Sequence, residues 1–351
     1  MRTRATELLD IEHPVFSAGM ARVAQAELAA AVSEAGGLGC LGGVSFLPDA
    51  LEAEMAKIRA RTAKPFAVNL LLPDSLTNDD DDVWRPVREL WSRLGVSEKG
   101  KMAGVEPLLT PGAVAGQIEV VLDAAPAMVV LTFGAPADFI AECHRRGIKV
   151  AALVGSTGAA VKAAASGVDL IVAQGTEGGG HTGYTSTMPL VPAVVDRVDT
   201  PVLAAGGIVD GRGLAAARAL GAEGVWVGTR FIATPEAYGH DAFKARVVQG
   251  ESRELTLTRA YTGKPLRAFR NEWTEQWEAS GETPSAFPGQ YAVAGVRVET
   301  GYQDGDLEWG MMPAGQGISS VHEITPAGVV VRAFVTQAEE ILRNLADDLR
   351  S

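Results

Sequence analysis

Between residues 14 and 232, short apolar and β-branched runs alternate with longer Ala-rich stretches in which apolar positions return every three or four residues. A run apolar on both faces reads as a strand of a parallel sheet, and a 3.6-residue period reads as a helix laid against it. The alternation therefore predicts repeated βα units. Eight strands are expected, at Pro14–Ala18, Leu38–Leu41, Phe66–Leu71, Met128–Thr132, Lys149–Val154, Leu170–Gln174, Val202–Ala205 and Gly224–Val227. Helices are expected at Gln25–Glu34, Asp49–Arg61, Pro136–Arg146, Thr157–Ser166 and Gly213–Leu220, and Gly147, Gly167 and Gly221 stand where a glycine closes a helix.

Units that keep coming without a reversal of order fit a closed α/β (β/α)8 TIM barrel better than an open doubly wound sheet. The expected organisation is a barrel over residues 1–235, a smaller helical insertion or lid over 236–312, and a C-terminal return segment and helix over 313–351. In the insertion charge rises and the alternation stops; its Trp273, Trp277 and Trp309 either wall a pocket or pack as core. The last helix is expected as an amphipathic stretch from Thr336 to Leu349. Asn78–Asp82 reads as a solvated acidic loop, and Trp84–Pro111 as either helices or an irregular connection.

Composition narrows the choice mainly by exclusion. Hydrophobic residues at 47%, charged residues at 21% and 40 glycines suit a large core of small aliphatic side chains, not a disordered chain or a coiled coil. The net charge of −12 repels a phosphate polymer or an anionic bilayer at long range, so neither nucleic acid nor membrane is an expected partner. No signal-peptide core follows Met1, and the weakly polar run Ala124–Ala137 is short of the ~20 residues of a spanning helix, so a soluble, cytoplasmic protein is expected. Cys40 and Cys143 lie far apart without metal-site spacing, which suits a reducing compartment, and no metal is expected.

Two glycine groups follow the last two strands: Ala204-Ala-Gly-Gly-Ile208 and Gly228-Thr-Arg-Phe231. In barrels, loops after the seventh and eighth strands commonly hold phosphate on bare N–H groups, which makes Gly206, Gly207, Gly228 and Thr229 candidates; tight turns are the alternative. His181 sits in the run Gln174-Gly-Thr-Glu-Gly-Gly-Gly-His-Thr-Gly183 after the sixth strand. Neighbouring glycines cannot pack it, and its position at a strand's carboxyl end presents it to a ligand; a structural loop histidine is the alternative. The other four histidines lack such a setting. Asn69 in an apolar strand needs partners, either a heteroaromatic ring edge or neighbouring backbone, and Met20 at a strand end is either core or a soft contact for a flat ring. Two GxGxxG matches, Gly37–Gly42 and Gly178–Gly183, are set aside as dinucleotide motifs: the first runs into a strand, and Tyr184-Thr-Ser-Thr-Met-Pro189 does not read as a helix start.

Taken together, residues 10–235 resemble the nitronate monooxygenase family, formerly 2-nitropropane dioxygenases, and more distantly flavin-dependent enoyl-acyl-carrier-protein reductases and NADH:quinone reductases. The resemblance is carried by Phe16-Ser-Ala-Gly-Met20, Ala35-Gly-Gly-Leu-Gly39, the Asn69 strand, Glu177-Gly-Gly-Gly-His-Thr-Gly183, Ala205-Gly-Gly-Ile208, Asp210-Gly-Arg-Gly213 and Gly228-Thr-Arg-Phe231, with Gly315-Gln-Gly317 as a late return to the cofactor. It implies an FMN-binding barrel without metal. Ala18, Gly19 and Met20 would border the isoalloxazine, Asn69 and Gln174 would meet its polar edge, and Gly179 and Gly180 would lie near it. Gly206, Gly207, Gly228 and Thr229 would hold the phosphate, Ala205 would be a further cofactor-binding residue, Gln316 would return to the cofactor, and His181 would be the catalytic histidine. The implied activity is oxidation of alkyl nitronates with O2 to a carbonyl compound and nitrite; the alternative is an NAD(P)H-dependent FMN reductase acting on an enoyl thioester, a CoA-linked intermediate or a quinone. A non-catalytic binding barrel is a further alternative, and a homodimer is one option for assembly. Gly19 stands where many relatives have Pro, and Trp226-Val227 where many carry Gln before the last Gly-Thr.

Overall fold

The computed structural model describes residues 1–72, 89, 110–287, 289–295 and 297–350. The loop expected at Asn78–Asp82, and the stretch from Trp84 to residue 109 apart from Glu89, lie outside the described residues. Eleven strands are described: β1 (Val15–Ser17), β2 (Gly39–Leu41), β3 (Phe66–Leu71), β4 (Met128–Thr132), β5 (Lys149–Val154), β6 (Leu170–Gln174), β7 (Gly180–His181), β8 (Val202–Ala205), β9 (Gly224–Val227), β10 (Leu255–Thr258) and β11 (Leu266–Phe269). Eight of them form one parallel sheet in the order β1-β9-β8-β6-β5-β4-β3-β2. Phe16 bridges Leu38, and the Ser17 and Leu38 N–H groups donate to Leu38 O and Val15 O at 3.0 Å each, so the first and last strands meet and the cylinder closes. Six strands begin and end where the sequence pattern sets them, while β1 and β2 are shorter than expected.

Side chains alternate across each strand, so every second residue points into the cylinder. Phe16, Cys40, Met128, Val130, Val172 and Trp226 belong to one buried cluster, which the N-terminal helix Arg4–Leu9 completes with Ala5 and Leu9. That helix lies at the end where strands begin: Arg4 bonds to Asp199 O and the Glu223 carboxylate, just ahead of β8 and β9. One step further along the same inward register come Asn69, Thr132, Leu153 and Gln174, at or near the strand ends, where they stop filling the core and line a cavity. The outward positions pack on helices Ala26–Glu34, Pro48–Arg61, Pro111–Ala124, Ala137–Arg145, Thr157–Ala165, Thr187–Val195 and Gly211–Ala219. Gly147, Gly167 and Gly221 close three of these with φ of 74°, 92° and 88°, as a C-terminal glycine should.

Three expectations are corrected. The insertion is not purely helical: β10 and β11 form an antiparallel hairpin that adds to β7, pairing Leu266 with His181 and Arg267 with Gly180. Residues 184–189 do lead into a helix, Thr187–Val195, which Pro189 and Pro192 disguise; Pro189 falls in the first turn, where a missing N–H costs nothing. Gly178–Gly183 still carries no dinucleotide fold, because the sheet closes instead of reversing its order. The final helix runs from Ala327 to Asp348, starting nine residues earlier than expected, because its first half buries Val330, Val331, Phe334 and Val335 and so lacks a polar face to read. Among the described residues, no helix is long and apolar enough to cross a membrane.

Candidate active site

A cavity of about 260 Å³ opens at the barrel end where the strands finish. Thirteen of the residues singled out in the sequence line it: Ala18, Gly19, Met20, Asn69, Gln174, Gly179, Gly180, His181, Ala205, Gly206, Gly207, Gly228 and Thr229. Gln316 does not. Its side chain is exposed, while its N–H donates to Glu177 O at 2.8 Å and its neighbours Gly315 and Gly317 line the cavity. The return segment thus contributes backbone: Gly315 N–H donates to Thr229 Oγ1 at 2.8 Å and, with the Gln316 N–H on Glu177 O, bridges the loop after β9 and the His181 loop.

The loops after β8 and β9 present donors. The N–H groups of Gly206, Gly207, Gly228 and Thr229 find no acceptor among the described residues, and all four residues border the cavity. Gly206 has φ +100°, and a Cβ there would lie 2.8 Å from Thr187 Oγ1 and 2.9 Å from Gly175 O, so the close approach of these loops requires glycine. Free N–H donors around such a cradle suit an anionic group such as a phosphate.

Asn69 donates both amide protons inward, to Val130 O at 2.9 Å and Thr132 Oγ1 at 3.0 Å, which leaves its oxygen as the group it can offer the cavity. The backbone-anchoring alternative accounts for its nitrogen. Gly19 is explained by the same residue: a Cβ at position 19 would stand 2.4 Å from Asn69 Cβ. Trp226 points into the barrel, 4% exposed, and lines the cavity floor. Met20 Sδ sits 3.5 Å from where a Cβ on Gly228 would be.

His181 is held from several directions. Its carbonyl accepts from Gln174 Nε2 at 2.7 Å, its Nε2 lies 2.9 Å from Thr262 Oγ1, and its ring meets the edge of Phe133 at 4.9 Å between centroids. Burial pulls its pKa down to about 4, and the Lys264 ammonium adds to the shift in the same direction, so the imidazole is neutral near pH 7. Lys264 itself rests over the Phe133 ring at 4.4 Å. Behind the loop, buried Arg267 donates Nε–H to Thr176 O at 3.1 Å, and the Glu177 carboxylate caps Thr187 N–H at 2.9 Å. Burial lowers the Arg267 guanidinium pKa, opposed by Glu177.

Thr262, Lys264, Phe133 and Phe287 escaped the sequence reading. Phe133 alone had a signal, its place directly after β4 on the barrel rim. Trp273, Trp277 and Trp309 do not line the cavity; Trp273 packs on Tyr261 and Trp277, and Arg297 stacks over Trp273 and Trp309. Phe287, Tyr291, Val298 and Met311 form the insertion's wall instead. His144 pairs with Asp169 at 2.8 Å and His240 caps a helix, in keeping with their surface and cap readings. Both thiols are buried, and burial pushes Cys143 up to about 12 and Cys40 further, so neither is a ready nucleophile. Among the described residues no group of three His, Cys, Asp or Glu could hold a metal ion.

Fold and cavity together define a (β/α)8-barrel enzyme acting on small molecules. A sequence profile of the nitronate monooxygenase family matches residues 2–337. A probable nitronate monooxygenase of Staphylococcus saprophyticus is 32% identical over 364 aligned residues, covering 97% of this chain and 99% of its own. Among solved structures, FabK from Thermotoga maritima is 34% identical with a TM-score of 0.82 and 99% coverage of both chains. Nitroalkane oxidase from Streptomyces ansochromogenes is 29% identical, also at TM-score 0.82, over 97% of this chain and 99% of that one. The chain belongs to the nitronate monooxygenase family, whose members are flavin-dependent oxidoreductases.

Proposed function

We propose that this enzyme binds FMN at the barrel rim and oxidises alkyl nitronates with O2 to a carbonyl compound and nitrite. Atoms and charge balance when two nitronates share one O2. The reading rests foremost on the placement of His181 at the cavity, held by Gln174 Nε2 on its carbonyl and by Thr262 Oγ1 at 2.9 Å from its Nε2. The unpaired N–H groups of Gly206, Gly207, Gly228 and Thr229 suit the cofactor's phosphate. In this reading Ala18, Gly19, Met20, Gly179, Gly180 and Ala205 border the ring, and Asn69 and Gln174 meet its polar edge. When bound, FMN supplies the acceptor for the substrate's electrons. His181 orients the nitronate beside it by hydrogen bonding, and the field of Lys264 favours the anion over its neutral conjugate acid. Phe287, Tyr291, Val298 and Met311 give the cavity an apolar wall that keeps water from the reacting carbon.

The test is nitrite release from ethyl nitronate and propionate-3-nitronate, wild type against His181→Ala. Loss of about 10²-fold or more in kcat/KM is expected. A wild-type enzyme that turns over no nitronate would overturn the reading. The 34% identity with FabK supports the second reading, an NAD(P)H-dependent FMN reductase, which predicts NAD(P)H consumption in place of nitrite.

A further inference from the structure

We propose that Thr262, carried into the site by the insertion hairpin, is a positioning residue for His181: its hydroxyl donates to Nε2, so the imidazole keeps its own proton at Nδ1 and meets the substrate as a hydrogen-bond donor. This rests on the role proposed above for His181 and specifies the form of substrate it accepts.

Thr262 is 2% exposed, so water does not compete for its hydroxyl. That hydroxyl has two acceptors in reach, His181 Nε2 at 2.9 Å and Lys264 O at 3.4 Å, and it receives the Lys264 N–H at 3.4 Å. With the proton on Oγ1 directed to Nε2, the shorter contact is a full hydrogen bond and the backbone N–H fills a lone pair. With the proton on Nε2 instead, the oxygen's two lone pairs take both N–H donors, and its own proton is left with Lys264 O at 3.4 Å, the edge of bonding range. The first arrangement gives the hydroxyl proton an acceptor at 2.9 Å in place of one at 3.4 Å, and it is the one we assign. Around it, Phe133 meets the ring edge-on at 4.9 Å, and the backbone of His181 is fixed by its pairing with Leu266 and by Gln174, so ring rotation does not easily exchange the two nitrogens.

The chemical consequence separates two uses of a histidine. A general base needs a bare nitrogen facing the substrate, and here the bare nitrogen is occupied by Thr262. The remaining Nδ1–H has no partner among the described residues and donates to an anionic oxygen. The site therefore takes preformed nitronate anions and is a poor catalyst for proton removal from neutral nitroalkanes. Without the hairpin this selection is lost, because Thr262 and His181 are 81 residues apart in the chain and meet only through it.

The experiment is long-range ¹H–¹⁵N NMR on full-length, flavin-loaded protein labelled at its five histidines, with the His181 signal assigned by its loss in His181→Asn. Expected are an unprotonated Nε2 and a protonated Nδ1 in wild type and in Thr262→Ser. In Thr262→Val a shift toward the other tautomer and about a tenfold fall in nitronate kcat/KM are expected, with Thr262→Ser restoring both. A wild-type ring protonated at Nε2, or a Thr262→Val spectrum like wild type, overturns the proposal; should Thr262→Val not fold, the wild-type and Thr262→Ser spectra decide. If the tautomer is as stated but no nitronate is consumed, the functional reading fails while the positioning role stands.

Discussion

Replacing Gly206 by alanine tests whether the rim cradle depends on backbone that only glycine supplies. At φ +100° an L-residue costs about 1–2 kcal/mol in backbone strain. The new Cβ would also stand 2.8 Å from Thr187 Oγ1, 2.9 Å from Gly175 O and 3.2 Å from Gly175 N. Thr187 cannot swing aside freely, since its hydroxyl is engaged with the Glu177 carboxylate at 2.9 Å and with Gly206 O at 3.0 Å. Such overpacking adds about 1–3 kcal/mol, for a total of about 2–5 kcal/mol. If that falls on the flavin-binding conformation, FMN affinity drops by about thirtyfold to a few thousandfold. Gly158→Ala is the control: it lies in helix Thr157–Ala165 away from the cavity, its φ is not positive and a Cβ there would meet nothing within 4 Å, so affinity should hold within about threefold. The assay is quenching of FMN fluorescence on titration into flavin-free protein, with thermal melts of both variants. A Gly206→Ala protein that binds FMN as tightly as wild type refutes the reasoning.

Two further outcomes are expected. The His181 ring should titrate near pH 4, not near 6.5, in a proton NMR titration; because its folded pKa is depressed, its contribution to stability is full above pH 6.5 and is lost as pH falls toward 4, by roughly 3 kcal/mol in all. A transition near 6.5 would show the imidazole solvated. Asn69→Leu strands the Val130 carbonyl and Thr132 hydroxyl and should lower stability by about 1–3 kcal/mol, while Asn69→Asp, which sets a carboxylate against Val130 O, should lower it further; melting curves in which the Asp variant matches wild type contradict the assigned bonds.

The barrel was legible because strands buried on both faces must be apolar throughout: Met128–Thr132 and Leu170–Gln174 contain no interior charge, and their ends coincide with the ends of the apolar runs. The rim glycines were legible for a related reason, since they follow strands whose order sets which loops adjoin. What escaped depends on contacts distant in sequence. The two-residue strand Gly180–His181 has no pattern of its own and exists because Leu266 and Arg267 pair with it. Thr262 reads as an ordinary turn residue until that hairpin places it against the imidazole. At Gln316 the segment meets the site through Gly315 and the Gln316 N–H, and a motif of residue types does not separate backbone from side-chain work.

The central claim is that glycine-lined rim backbone holds FMN with His181 at its reactive ring, set for a nitronate donor. The most direct measurement is the visible spectrum of the purified protein, mixed under strict exclusion of oxygen with ethyl nitronate and, separately, with NADH and NADPH. The account predicts a yellow protein whose released chromophore is FMN, bleached by the nitronate in wild type but not in His181→Ala, and unchanged by either nicotinamide. A colourless protein that takes up no FMN, or a flavin bleached by NAD(P)H while nitronate leaves it oxidised, would contradict it.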